Sequence, residues 1–197
     1  MARPKVHDEA LRLRLLDEAG RLLSAEGAAA LSLRRIATDA GTSTTAVYSL
    51  FGGKPALVRA LFLEAFGRFA ARLAAVPLGD DPAENLVRLG IAYRESALAD
   101  PHLYAVMFGR AVPEFTPDAP DREVSLTAMR PLLETVRAGI AAGVLVQAPP
   151  ETIVVALWGN AHGLVSLELN DRVPEGFDVA TAYEDAVRAA VRGWTTR

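Results

Sequence analysis

The stretch Leu31–Leu57, LSLRRIATDAGTSTTAVYSLFGGKPAL, decides how the rest of the chain is read. It contains two short helical patterns around a glycine. Ser32 stands where a cap opens the first, which runs through Leu33, Ile36, Ala37 and Ala40. Gly41 breaks it, because glycine takes the left-handed turn conformation that a side chain disfavours. Ser43 stands as the cap of the second, which carries Ala46, Val47 and Leu50, and Phe51-Gly52-Gly53 ends it. Two short helices about a glycine-centred turn are the geometry of a helix-turn-helix. Ile36 and Ala37 are expected to face inward, with the small Ala37 admitting the second helix and Val47 and Leu50 packing back. A helix held this way fits the major groove of duplex DNA.

Outward from that stretch the pattern stays helical, with no sustained period-two alternation and with alanine and leucine dominant. Ala10–Glu26 has Leu11, Leu15, Leu16, Ala19, Leu22 and Leu23 at helical spacing, and Gly27 stops it. Downstream, helices are predicted over Lys54–Ala75, Ala83–Leu98, Leu103–Phe108, Arg122–Ala142, Glu151–Leu169 and Asp178–Trp194. Pro131 either kinks the Arg122–Ala142 helix or marks its true start. The expected fold is all-α, about nine helices, with an N-terminal three-helix domain over 1–54 and a helical bundle over 55–197.

Composition removes several function classes. The 197 residues include no cysteine, which excludes disulfide scaffolds, cysteine-ligated zinc and thiol nucleophiles. The 51% hydrophobic content supplies a core and excludes a disordered chain. No apolar run reaches the ~18–20 residues of a bilayer span. Met1–Asp8 is polar, unlike a signal peptide, so a soluble, cytoplasmic protein without membrane partners is expected. His7, His102 and His162 lie far apart, and no metal motif, P-loop, GxSxG or GxGxxG is present, so no metal, cofactor or enzymatic activity is expected. The net charge of −3 argues at first against nucleic acid. Residues 1–60, however, hold nine basic against six acidic side chains, and the deficit lies entirely in the remainder.

The LSLRRIA run at Leu31–Ala37, then Ala40-Gly41, Val47-Tyr48, Phe51, Lys54 and Ala56-Leu57, resembles the N-terminal domain of the tetracycline-repressor (TetR) family of transcriptional regulators. The resemblance runs from about Leu15 to Leu61 and implies roles residue by residue. Ser32 and Arg34 lie near the DNA backbone. Thr42, Ser43, Thr44 and Thr45 face bases and phosphates from the front of the recognition helix. Tyr48 contacts the backbone, and Lys54 reaches a phosphate. Arg3 and Lys5 form either a basic arm along the adjacent groove or a solvated tail. One departure stands out: Thr44–Leu50 carries no charge, so bidentate arginine-to-guanine readout from this helix is closed. Hydroxyls and threonine methyls must read the bases, or DNA shape must help.

Near the other end, Ala156–Leu169 reads ALWGNAHGLVSLEL. Trp158, His162 and Gly163 resemble the Trp–His–Gly (WHG) signature of one TetR C-terminal subfamily. That resemblance implies a homodimer built on this helix and the last one, and a small-molecule cavity inside the remaining helices. Phe66, Tyr93, Tyr104, Met107, Phe108, Met129, Trp158 and His162 are its candidate lining, suited to an uncharged, hydrophobic effector. The function implied is a ligand-responsive regulator, most often a repressor, on a pseudo-palindromic double-stranded operator. The competing readings are an all-α enzyme and a helical adaptor that uses the motif only for packing.

Overall fold

The computed structural model describes residues 5–109, 112 and 115–196; Arg3 and the side chain of Lys5 lie outside them. Among the described residues ten α-helices follow in order: α1 Lys5–Glu26, α2 Leu33–Asp39, α3 Thr44–Phe51, α4 Lys54–Ala74, α5 Pro82–Ala99, α6 Pro101–Phe108, α7 Ala119–Thr127, α8 Arg130–Ala141, α9 Pro150–Leu169 and α10 Val179–Arg192. A 3₁₀ turn spans Ala28–Ala30. Among the described residues the only β pairing is an isolated bridge between Leu145 and Thr195. The extra helix, relative to nine, arises where one run over Arg122–Ala142 was expected. Proline lacks the N–H that a helix interior needs, and Pro131 sits in the first turn of α8, where that N–H has no partner anyway.

The chain divides into two compact units. The first holds α1–α3, α4 through Arg68, α6, and α7 through Ser125. Its core gathers Leu15, Leu16, Ala19, Leu22 and Leu23 of α1 with Ile36 and Ala37 of α2, Val47 and Phe51 of α3, Leu57 and Leu61 of α4, and Leu103 of α6. The α1 set repeats every three or four residues, which puts it on one helix face. Gly20 lets α6 close against α1, since a Cβ there would stand 3.0 Å from the His102 ring.

The second unit holds the end of α4 from Phe69, α5, and everything from Leu126 onward. Its helices α5, α8, α9 and α10 pack on one another. Gly90 allows α5 to cross α10, because a Cβ there would lie 2.6 Å from Val187 Cγ1. α9 is twenty residues long and, by length and composition, apolar enough to cross a bilayer. It carries Glu151, Asn160, His162 and Glu168, and its Ile153, Leu157, Ala161 and Val165 stripe is buried against the unit's core while about four-fifths of the helix is not.

Candidate nucleic-acid interface and ligand cavity

α3 is fixed from one side only. Val47 and Phe51 are buried, and Leu50 packs half-buried against the same core. The opposite side presents Thr45, Tyr48 and Ser49 to solvent. Tyr48 is 54% exposed, so it is not a core aromatic. Ser43 caps the helix, its Oγ accepting the Ala46 N–H at 3.2 Å. Ser32 makes no such cap bond and is exposed at the start of α2. Gly41, at φ +68°, makes the turn, and the Thr42 N–H behind it donates to the Ala37 carbonyl at 2.8 Å. Thr42 and Thr44 are half-buried at the front of the helix.

Charge around the motif is largely consumed internally. Arg35 grips Glu26 with two bonds of 2.7 and 2.6 Å, and the guanidinium holds that carboxyl below its usual value. Arg35 also lies 3.6 Å from Asp39, and Arg21 pairs with Glu18. Arg34, its neighbour on α2, is exposed and has no carboxylate partner among the described residues. Lys54 is exposed at the start of α4, and its Nζ donates to the Ala28 carbonyl at 3.1 Å, leaving two further N–H donors. Farther along, Arg59 meets the buried Asp121 at 2.7 Å. Burial pushes that carboxyl up, but bonds from Arg59 and the Asp118 N–H bring it below the ordinary range.

The second unit contains a narrow cavity of about 40 Å³. Phe69, Tyr93, Met129, Leu132, Trp158 and Asn160 are among its walls, and no lining side chain is charged. Behind the wall runs a chain of polar groups. Trp158 Nε1 donates to the Tyr93 hydroxyl at 3.4 Å, and that hydroxyl lies 3.1 Å from His162 Nδ1. His162 Nε2 in turn lies 3.5 Å from Ser166 Oγ. The direction of the Tyr93–His162 bond follows the imidazole tautomer: a ring protonated at Nε2 accepts the hydroxyl proton at Nδ1, and a ring protonated at Nδ1 donates to the hydroxyl oxygen. Burial lowers the His162 pKa, which favours the neutral ring. Asn160 differs: its Oδ1 is buried with no hydrogen-bond partner.

Of the eight residues anticipated for a ligand site, Tyr93, Met129 and Trp158 line this cavity, and His162 stands one bond behind Tyr93. Phe66, Tyr104, Met107 and Phe108 are not in its wall. They belong to the first unit, where Phe66 and Tyr104 pack on Phe108 at ring separations of 5.8 and 4.8 Å and Met107 packs on the core. Sequence reasoning passed over Phe69 and Asn160. The available signal for Asn160 was a lone amide inside an apolar helical run.

On α9 the face away from that core is apolar and open. Val155 is 61% and Leu167 48% exposed, and Gly159 and Gly163 between them have no neighbouring atoms within 4 Å of a would-be Cβ.

Comparison with known proteins places both parts. Residues 15–61 match the family described as bacterial regulatory proteins, tetR family, and residues 86–190 match the tetracyclin repressor-like C-terminal domain. HTH-type transcriptional regulators of Mycobacterium tuberculosis and Mycobacterium bovis are each 28% identical over 140 residues, covering 68% of this chain and 59% of theirs. The match thus spans about three-fifths of those relatives' length. A solved protein of unknown function from Rhodococcus sp. RHA1 superposes with a TM-score of 0.80 at 27% identity, over 94% of this chain and 96% of that one. A TetR family transcription regulator from Marinobacter aquaeolei shares the fold, with a TM-score of 0.77 at 23% identity over 98% and 100% of the two chains.

Proposed function

The chain belongs to the tetR family of bacterial regulatory proteins, and from that premise we propose that it is a homodimeric transcriptional repressor, released from a pseudo-palindromic operator by a small uncharged effector. The observation that carries the reading is the two-sidedness of α3. Val47 anchors it, while Tyr48 and Thr45 stand exposed on the other side. A large aromatic kept in solvent beside a fully packed neighbour is what a contact surface looks like. Thr44, Thr45 and Tyr48 meet the groove, Ser43 and Thr42 its edge, and Ser32, Arg34 and Lys54 the phosphates. Segment 1–54 is the DNA-binding part and 55–197 the sensing and dimerising part.

Two-fold symmetry follows from the DNA. Two copies presenting α3 in successive major grooves require half-sites about one helical turn apart. The open face of α9, with its glycines at four-residue spacing, suits close approach of a second copy, and α10 supplies the other half of that interface. An effector in the cavity of the second unit acts only if it binds one spacing of the motifs better than the other, shifting the population between them. Such a regulator works in the cytoplasm, where the operator is.

The test is selection of duplexes from a random pool by the full-length protein, followed by footprinting and sedimentation of the complex. The expected result is an inverted repeat bound by two chains. A protein that enriches no sequence, or binds an asymmetric site as one chain, refutes the reading.

A further inference from the structure

An unsatisfied buried atom in the cavity wall specifies more about its occupant than hydrophobicity does. Its walls are apolar and carry no charge, so a charged occupant would lose its hydration with nothing to replace it. The hydroxyl of Tyr93 and the N–H of Trp158 are engaged with each other and with His162. Asn160 is the exception: it lines the cavity, and its Oδ1 is buried without a partner. A buried acceptor left unmade costs free energy, and a leucine of similar size would avoid that cost. Water is a poor occupant of so apolar a slot, because a buried water needs two to four polar partners.

We infer that the ligand is an uncharged, flat, largely apolar ring molecule with one N–H or O–H group, donated to Oδ1 of Asn160. This rests on the proposed effector role of the cavity and adds the chemical class. Phe69, Tyr93 and Trp158 supply ring faces and edges for stacking. At about 40 Å³ the closed slot has room for only two or three water-sized spheres, so a ring must widen it. Met129 is the wall residue best able to yield, being unbranched. A ligand that fits only the widened slot discriminates between two states, which is what a regulator needs.

The matched probes are indole and benzofuran, one bicycle differing in N–H against O. Calorimetry on the full-length protein should show indole bound about 3- to 10-fold tighter, the ratio expected of one hydrogen bond. Asn160→Leu should bring the ratio to about one by weakening indole, leave benzofuran within about twofold, and melt no lower than wild type. Indole-3-acetate should bind at least about tenfold more weakly than indole. Equal affinity of the two bicycles in wild type, or a preference that survives Asn160→Leu, overturns the donor assignment while benzofuran binding keeps the cavity as an apolar site. Binding of neither bicycle overturns the assignment and the effector reading together. Loss of the dimer in Asn160→Leu by sedimentation also overturns the inference, since the amide would then serve the contact between copies.

Discussion

In the unit that carries α2 and α3, polar groups are settled in pairs around an apolar core. Arg35 holds Glu26, Arg68 holds Asp17 and Glu64, and Arg59 holds Asp121. In the unit of α5, α8, α9 and α10 the distinctive polar groups point inward, from Trp158 through Tyr93 and His162 to Ser166, and one of them, Asn160, is left open. The first arrangement keeps a small set of outward groups free on a well-anchored helix. The second keeps slack inside. On the proposed function, a helix that reads a rigid duplex needs its anchors filled, and a bundle that responds to a small molecule needs an unfilled place.

The largest effect that could break this contrast comes from cavity-making substitutions. Leu61 of α4 is fully buried in the first unit's core, whereas Leu132 of α8 is half-buried at the wall of the slot. Leu61→Ala should cost about 2–5 kcal/mol, and Leu132→Ala less than about half of that. Urea unfolding of each variant measures both. Equal costs would mean that the second unit is packed as tightly as the first.

Next in size is Tyr48→Ala. With the ring 54% exposed, the substitution should leave the melting temperature within about 2 °C. Affinity for a selected operator should fall about 10- to 100-fold, read by fluorescence anisotropy. A parallel loss of stability would make Tyr48 a packing residue after all and leave α3 without its main outward side chain.

How far the sequence could see these two regions differs as the regions do. The motif was legible because its rules are local: Gly41 at a positive φ, Ser43 bonded to Ala46 three residues on, Val47 in and Tyr48 out by helical period. The extent of the unit around it was not, since segment 1–54 buries its leucines against Leu57 and Leu61 of α4 and Leu103 of α6, and such pairings are set in three dimensions. The cavity was half legible. Residue type singled out the aromatics and methionines, but α4 runs unbroken through both units. Nothing in the chain says that Phe66 serves one and Phe69, three residues later, the other. A cap bond could be anticipated at Ser32 as readily as at Ser43, yet of the two only Ser43 makes one; their backbones differ, at φ −113°, ψ 125° for Ser32 and φ −94°, ψ 151° for Ser43.

A finer test of the contrast is the salt dependence of operator binding. If charge in the first unit is mostly consumed internally, two adjacent arginines on α2 must behave differently. Arg34→Ala should lower the slope of log affinity against log salt by about 0.9, one phosphate's worth, and Arg35→Ala should change it by much less. Lys54→Ala should resemble Arg34→Ala, because one of its three donors is bound to Ala28 and the others are free. Equal slopes for Arg34→Ala and Arg35→Ala would show that the ion pairs with Glu26 and Asp39 open on the DNA.

The smallest effect lies in the other unit and concerns His162. Burial lowers its pKa, so the folded chain holds the ring neutral where an unfolded chain would protonate it. Above the unfolded histidine value of about 6.5 both states are neutral and the residue has no pH dependence to contribute. As pH falls through about 6.5, the unfolded state gains a proton first, and stability drops until the folded ring itself protonates. Carboxylates act lower, so the interval from about pH 6.5 to 5 isolates the histidine. Protonation would also make both ring nitrogens donors, so Nδ1 could then only donate to the Tyr93 oxygen. The expected result is a melting temperature that declines over that interval in wild type and stays flatter in His162→Gln. A decline of equal steepness in His162→Gln would mean that the acid sensitivity resides elsewhere and that His162 contributes nothing to it.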